Sequence, residues 1–237
     1  MSTAKRISDL RHFYDLLEEL ENHVGGMRCL FDCHGRLNWP QRGVYFFFEE
    51  SEKRTTTGTG LRVVRVGTHA LRVGSATKLW GRLSQHRGVV KSGGGNHRGS
   101  VFRHLVGNAL MGRNPRLAAA MWEGKARPPK EERFTELALE RVVSKVIGAM
   151  PFLWLAVDDP PGPDSLRGYV ERNSIALLSC YGKTPVDTSS DNWLGWHCSR
   201  KRVRESGLWN NNHVDESYDL SFLDTMDALV RQVGNGG

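Results

Sequence analysis

Residues 43–49 read Gly-Val-Tyr-Phe-Phe-Phe-Glu, and residues 61–66 read Leu-Arg-Val-Val-Arg-Val. Both stretches are rich in aromatic and β-branched residues, which are enriched in β-strands. Residues 55–60 between them read Thr-Thr-Thr-Gly-Thr-Gly, a composition typical of a turn or loop. The sequence therefore predicts an antiparallel pair of strands.

Helical patterns surround this pair. Apolar residues recur at helical spacing over 7–24, with Ser8 as the predicted N-cap and Gly25-Gly26 as the stop. A further strand is predicted over 152–157. More helices are predicted at 76–87, from near Ser100, at 131–148, at 164–181 with Asp164 or Ser165 as cap, and at 219–233. The expected fold class is α/β (α+β), a small antiparallel sheet flanked by helices.

The composition is that of an ordinary globular protein. The chain has 237 residues, of which 39% are hydrophobic and 25% charged, enough for one large domain. No apolar run approaches the roughly 20 residues that span a bilayer, so no membrane segment is expected. The first residues lack the apolar core of a secretory signal. Four scattered cysteines do not resemble a disulfide framework, which makes the cytoplasm the expected compartment.

Two groups of potential zinc donors are present. Cys29, Cys33 and His34 are close in sequence, and His197-Cys198 forms a second pair. A structural zinc site would need both groups brought together, and Cys-x3-Cys is a loose first half. The favoured alternative is that Cys29 and Cys180 are small core residues.

The charge is unevenly distributed. Residues 53–122 contain 13 Lys or Arg and no Asp or Glu, which leaves 20 basic and 26 acidic residues elsewhere. The whole chain has a formal charge of +7 and a pI near 9.4. Such segregation predicts a surface for a polyanion, because a basic face gains affinity by releasing phosphate counterions. An acidic protein partner is the alternative.

Four short motifs follow one another along the chain. Gly43-Val44-Tyr45 comes first, then Arg65-Val66-Gly67, then the helical segment from Arg82 to His86, and finally Glu171 in a predicted helix. This order resembles the GIY-YIG nuclease superfamily over roughly residues 40–180. The resemblance implies a core of three antiparallel strands flanked by helices.

The chain departs from the family pattern at the second tripeptide, which begins with arginine and not tyrosine. Its register is open as well, because Arg72-Val73-Gly74 repeats the pattern nearer to Arg82. We expect a single domain over 1–237. Its parts are a nuclease-like core at 40–180 with a basic insertion at 88–130, an N-terminal helical extension at 1–39 and a C-terminal extension at 181–237.

The resemblance implies a metal-dependent endonuclease that hydrolyses DNA phosphodiester bonds. Glu171 would ligate Mg²⁺, with Mn²⁺ as a possible substitute, and Glu140 is a rival ligand. Tyr45 would act as the general base, and Arg82 would bind a non-bridging phosphate oxygen. His86 would relay the proton or contact the phosphate.

Other residues complete the expected site. We expect Arg65 and His69 beside these residues in the same site. The expected contacts to nucleic acid are Arg72, Lys78, Arg87, Lys91, Arg98 and Arg103. The expected partner is duplex or branched DNA, bound by a monomer or a homodimer. The alternative function is a non-catalytic nucleic-acid-binding protein on the same fold, which the arginine in the second tripeptide favours. The Asn210–His213 segment is interpreted as a polar loop.

Overall fold

The computed structural model describes residues 2–124 and 129–235, so residues 125–128 of the expected basic insertion lie outside the described residues. Within the described ranges the fold is mixed α/β, with seven α-helices and an open four-stranded antiparallel sheet. The strands are β1 (Arg28–Cys29), β2 (Gly43–Lys53), β3 (Leu61–Gly67) and β4 (Pro151–Ala156). The helices are α1 (Thr3–Val24), α2 (Leu79–Arg87), α3 (Val101–Arg113), α4 (Lys130–Ala149), α5 (Leu166–Leu178), α6 (Lys201–Ser206) and α7 (Phe222–Asn235).

The sheet confirms the expected fold class and adds one strand to it. The strand order is β1-β4-β2-β3, and the strand predicted over 152–157 is β4. The fourth strand, β1, is only two residues long and pairs with β4 at Arg28 and Cys29. A pair of residues is too short to give an alternating pattern, so the sequence carries no strand signal there.

Helices cover both faces of the sheet. Because side chains alternate along a strand, Val44 and Phe46 point to one face of β2, and Tyr45 and Phe47 point to the other. The first face packs against α1, α5 and α7. The second face packs against α2, α3 and α4. Tyr45 therefore lies on the face that receives α2, the helix carrying Arg82 and His86.

A β-bulge in β3 positions the second tripeptide. Tyr45 lies opposite Gly67 and Phe47 lies opposite Arg65, but Phe48 lies opposite Val63, so β3 contains one extra residue. Bulges of this kind redirect side chains next to functional sites. Here Arg65 shares a face with Phe47 and hence with Tyr45. Residues 65–67 thus form the end of β3 beside Tyr45, whereas residues 72–74 lie in a turn outside the sheet.

The ends of the helices follow capping residues. Gly25 ends α1 in the left-handed conformation (φ 77°), as predicted. The N-cap prediction for this helix was wrong, because the cap of α1 is Ser2, six residues before Ser8. The missed turn contains Arg6, whose guanidinium donates to the carbonyls of Leu177 and Ser179. A buried polar residue breaks the apolar periodicity, so the pattern starts too late.

The cysteines are all free thiols. Cys33 and Cys198 are the buried pair, whereas Cys29 and Cys180 are half-buried. The prediction that Cys29 and Cys180 are the core cysteines was therefore wrong. Among the described helices, none combines the length and the apolar character needed to cross a bilayer.

Candidate active site

The innermost part of the site is a hydrogen-bonded pair beneath the protein surface. Tyr45 of β2 and His86 of α2 are both fully buried. The Tyr45 hydroxyl lies 2.8 Å from Nε2 of His86. Burial lowers the pKa of His86 well below its usual value, and the charges of Arg82, Arg65 and Arg103 lower it further. The imidazole is therefore neutral at pH 7.

The other side of His86 contacts α3. Its Nδ1 lies 2.8 Å from Oγ of Ser100, the N-cap residue of that helix. Its backbone carbonyl accepts a 2.7 Å hydrogen bond from Nη1 of Arg103. The sequence placed a helix start at Ser100 but gave that residue no part in the site. Only the packing of α3 on α2 brings it to the imidazole.

Arg65 lies beside the Tyr45–His86 pair. Its guanidinium donates to the carbonyl of Trp209 and lies 5.3 Å from the centre of the Phe102 ring. Burial lowers the pKa of Arg65, and the nearby Tyr45 and Glu171 oppose that shift. The charge of Arg65 therefore interacts both with Tyr45 and with the Glu171 carboxylate of α5.

In front of this layer is an open cleft of ≈ 720 Å³. Glu171 of α5 lines it, and Oε1 of its carboxylate accepts a 3.1 Å hydrogen bond from the backbone N–H of Thr68. Burial raises the pKa of Glu171, and the charges of Arg65, His213 and Arg82 oppose the shift. The polar residues that line the cleft include Thr68, His69, Arg72, Arg82, Gln85 and Glu171.

Arg82 extends across the surface of α2. Its Nη1 donates to Oε1 of Gln85 at 3.0 Å and to the carbonyl of Gly99 at 3.1 Å. The side chain is half-buried and lines the cleft. Its contacts are to neutral oxygens, so its charge is available to an anion in the cleft.

His69 lies in the wall of the cleft with only 6% of its surface exposed. Neither ring nitrogen makes a well-formed hydrogen bond within the described residues, although the backbone of Gln41 lies close enough to oppose the lowering of the His69 pKa. Burial lowers the pKa of His69 to about 4, and the positive charges of Arg167, Arg82 and Arg42 contribute to the shift. A buried imidazole without a partner is uncommon, because the desolvated nitrogens cost free energy. This position therefore favours a ligand that supplies the missing partner.

The structure corrects the prediction that Arg103 contacts nucleic acid. Arg103 is fully buried, and its guanidinium donates to the Glu140 carboxylate and to Oγ of Ser144. Burial raises the pKa of Glu140, but hydrogen bonds from His97 and Arg103 outweigh this effect and hold it below its usual value. The rival ligand Glu140 is thus a carboxylate whose charge is balanced by the buried Arg103. It does not line the cleft.

Two more of the expected surface cations are engaged internally. Arg98 forms a bidentate ion pair with Glu136 at 2.8 and 2.9 Å. Arg87 donates to the carbonyl of Cys33 at 2.5 Å and lies 5.0 Å above the ring of Trp80. Both residues have intramolecular partners where free charges were expected.

The remaining expected cations, Arg72, Lys78 and Lys91, are exposed. Arg72 also lines the cleft, and Lys78 immediately precedes α2. These three side chains are the basic residues of the expected set that a nucleic acid can reach.

The Asn210–His213 segment is a loop, and its first residue extends the sheet. The Asn210 side chain accepts from the N–H of Val66 at 3.1 Å and donates to its carbonyl at 2.9 Å. Asn210 therefore satisfies the backbone N–H and carbonyl of Val66, the middle residue of the second tripeptide, at the outer edge of β3. His213 pairs with Glu216 at 2.7 Å. The sequence missed the structural role of Asn210.

Across the described ranges, no three His, Cys, Asp or Glu side chains converge in a way that could hold a metal ion. This finding gives the zinc alternative no support. A single carboxylate in an open cleft nevertheless suits Mg²⁺, which retains most of its water ligands and needs few protein donors. One oxygen of Glu171 is occupied by Thr68, and Oε2 has no hydrogen-bond partner among the described residues.

The comparison with protein families gives one match. A family model described as GIY-YIG domain matches residues 4–235, from the first turn of α1 to the end of α7. No curated protein and no solved structure matches the chain.

Proposed function

We propose, on the premise that this chain belongs to the GIY-YIG domain family, that it is a metal-dependent endonuclease hydrolysing DNA phosphodiester bonds. The observation that carries the proposal is the Tyr45–His86 hydrogen bond beside a cleft that contains Arg82 and Glu171. Arg82 lies one turn before His86 on α2, and Thr68, which binds Glu171, directly follows Gly67, the residue opposite Tyr45. Phosphodiester hydrolysis needs a base for the attacking water and positive charge around the phosphate. These residue types supply both.

Glu171 is the residue that would hold Mg²⁺, or Mn²⁺ in its place. A bound divalent cation would supply charge stabilisation at the phosphate oxygens. Burial favours the protonated carboxyl, whereas the nearby Arg65, His213 and Arg82 favour the carboxylate that a metal requires. The Thr68 N–H fixes the orientation of that carboxylate.

Tyr45 would give its hydroxyl proton to Nε2 of the neutral His86, and the resulting phenolate would accept the proton of the attacking water. The neutral His86 holds the phenolic oxygen in place at 2.8 Å. Tyr45 has no exposed surface, so this role requires that substrate binding open a path to its hydroxyl. Catalytic hydrogen bonds often take their final geometry only when the substrate is bound.

Arg82 and His69 would contact the scissile phosphate. The guanidinium of Arg82 can give two parallel hydrogen bonds to the non-bridging oxygens. The N–H of His69 is not held by a well-formed hydrogen bond and would donate to a phosphate oxygen. The anion would thereby give this buried donor a well-formed hydrogen bond.

The DNA on either side of the scissile bond would contact Arg72, Lys78 and Lys91. These exposed cations neutralise phosphates without reading the base sequence. The substrate class is duplex or branched DNA. One active site cuts one strand, so cleavage of both strands requires two copies of the chain or two successive events.

A second candidate function is a nucleic-acid-binding protein that does not cut. The burial of Tyr45 and the arginine at position 65 favour this alternative. Such a protein would show the same salt-dependent binding with no cleavage.

The experiment is the nicking of supercoiled plasmid in Mg²⁺, in Mn²⁺ and in EDTA. We compare the wild type with Glu171→Gln and Tyr45→Phe, and use Glu205→Gln, an exposed carboxylate on α6, as the matched control. The proposal is supported if the wild type nicks with Mg²⁺ or Mn²⁺ and not with EDTA. The nicking rate should then fall at least 100-fold in the first two variants and stay unchanged in the control.

Two outcomes contradict it. If metal-dependent nicking survives the Glu171→Gln substitution, Glu171 is not the metal ligand. Salt-sensitive DNA binding by a wild-type protein that nicks neither linear, supercoiled nor branched DNA favours the non-catalytic alternative.

A further inference from the structure

Another cavity, of ≈ 540 Å³, adjoins the cleft along α2. The cavity and the cleft share Thr77 and Gln85 as lining residues. Gly81 and Gln85, one turn apart on the same face of α2, line the cavity, and Arg82 lines the cleft. A DNA strand with one phosphate at Arg82 therefore has a neighbouring nucleotide within reach of this cavity.

Two tryptophans form an apolar wall of the cavity. The rings of Trp39 and Trp80 are stacked, with centroids 5.1 Å apart and planes 17° from parallel. Trp39 also lies 5.0 Å from the ring of Trp154, and the Arg87 guanidinium lies 5.0 Å from the centre of the Trp80 ring. These contacts hold both indoles in place, so the wall exists before a ligand binds.

The rest of the lining offers hydrogen-bonding groups that the protein does not use. The side-chain amides of Asn38 and Gln41 are exposed, and within the described ranges they have no hydrogen-bond partner. The Gln85 side chain accepts from Arg82 through Oε1, which leaves its N–H groups for a ligand. Lys78 adds an exposed positive charge. Amides that both donate and accept match the edge of a nucleobase, where donors and acceptors lie side by side.

This lining suits a nucleobase better than other parts of a nucleic acid. The cavity is as large as a typical small-ligand site, with an apolar wall and a few polar groups. A sugar–phosphate alone would gain little from two indoles, whereas the flat face of a base packs well against aromatic side chains. Bases inside a duplex are paired and stacked, so a base enters such a cavity only when it is unpaired or extruded.

We infer that this cavity binds an unpaired base of the DNA, beside the nucleotide whose phosphate lies in the cleft. The inference rests on the proposed function for the position of the cut, whereas binding of the base requires no cleavage. Extruding a base from an intact duplex costs free energy, and a base that is already unpaired avoids most of this cost. The substrate class is therefore DNA with an unpaired nucleotide next to the scissile bond.

The first measurement is DNA affinity by fluorescence anisotropy, with the wild type in EDTA so that no strand is cut. Three labelled DNAs are compared: a perfect duplex, the same duplex with one bulged nucleotide, and the same bulge as an abasic site. The abasic bulge keeps the phosphates and lacks the base. We expect the bulge with its base to bind about tenfold more tightly than the abasic bulge. Equal affinity for the two bulges overturns the inference, because the protein then recognises the backbone alone.

The first substitution, Gly81→Phe, fills the cavity. A Cβ atom at Gly81 meets no atom within 4 Å, so the new side chain has room. We expect the preference for the bulge with its base to disappear, with the affinity for perfect duplex within about twofold of wild type. Gly162→Phe is the matched control, because its Cβ also meets open space and it lines neither the cavity nor the cleft. A folded Gly81→Phe protein that keeps the full preference overturns the inference.

Two milder substitutions keep the test decisive if thermal unfolding shows that Gly81→Phe does not fold. Asn38→Ala and Gln41→Ala each remove an exposed amide and leave the backbone in place. We expect each to reduce the preference for the bulge with its base by about threefold, the value of one hydrogen bond. An undiminished preference in both variants overturns the inference.

The second measurement maps the nicks on the same DNAs in Mg²⁺. We expect nicking next to the bulged nucleotide, at least about tenfold faster than in the perfect duplex. Nicking at equal rates in all three DNAs overturns the inference and leaves the nuclease proposal intact. Base-dependent affinity without nicking overturns the nuclease proposal and leaves the base-binding cavity intact.

Discussion

Substituting Gly67 by alanine tests the most closely packed contact of the site. Gly67 ends β3 opposite Tyr45, and a Cβ atom at this position would lie 2.4 Å from the Tyr45 hydroxyl oxygen and 2.5 Å from two ring carbons. Carbon atoms in van der Waals contact are about 3.5–4.0 Å apart. The Tyr45 ring must therefore move by about 1 Å to admit the methyl group.

This displacement has two costs. Overpacking a well-filled core costs about 1–3 kcal/mol. A ring displaced by about 1 Å also loses the geometry of the 2.8 Å contact with His86, and the loss of that hydrogen bond costs a further ~1 kcal/mol. The expected total is about 3 kcal/mol of unfolding free energy. For a domain of this size the melting temperature falls by about 2–4 °C per kcal/mol, hence by roughly 6–12 °C.

The assay is thermal unfolding followed by circular dichroism, with plasmid nicking measured on the same samples. The matched control is Gly81→Ala on α2, where a Cβ meets no atom within 4 Å. Because alanine is the better helix former, we expect this control to be as stable as the wild type or more stable by up to about 1 kcal/mol. Equal melting temperatures for Gly67→Ala and wild type would refute the packing of Tyr45 on Gly67.

Two further predictions follow from the charges at the cleft. The pKa of His69 is about 4 in the folded protein and 6.5 in its ordinary state, so the unfolded chain binds more protons between these values and stability falls as pH drops through this window. From this residue we expect a loss of about 2 kcal/mol between pH 7 and pH 5. Urea unfolding should show a smaller loss in His69→Gln, and equal losses would contradict the shift. For DNA binding, we expect Arg72→Ala and Lys78→Ala each to reduce the slope of log K against log salt by about 0.9. Lys201→Ala on α6 is the control, and a slope unchanged in all three variants would place the DNA elsewhere.

The sequence by itself determined the local elements of this protein and the family to which it belongs. Strand composition at 43–49 and 61–66 gave β2 and β3, because aromatic and β-branched side chains suit a pleated, buried surface. Helical periodicity located α3 and α5: the predicted start near Ser100 is confirmed, and of the two predicted caps Asp164 and Ser165 the structure has Ser165. The order of the tripeptides and of the residues that follow them predicted the GIY-YIG family, which the family match confirms. These signals are local, so a linear reading finds them.

Only the tertiary structure decided which charges are free. The acid-free stretch predicted a continuous basic surface, yet carboxylates from outside it, at Glu18, Glu52, Glu136 and Glu140, pair with four of its arginines. Two of these carboxylates belong to α4. Their partners are about 40 residues away in sequence, and only the packing of α4 on α3 and on the short turn before it brings them together. Charge counted along a chain cannot detect such pairs.

The hydrogen-bond network behind the cleft was likewise decided by packing. The sequence identified Tyr45 and His86 separately, but their contact joins a strand to a helix 41 residues later. Ser100 joins them because a helix cap and an imidazole meet where α2 and α3 pack together. A hydrogen bond depends on distances of a few tenths of an ångström, which no periodicity encodes. The sequence therefore supplied the residue types of the site, and the fold supplied the contacts between them.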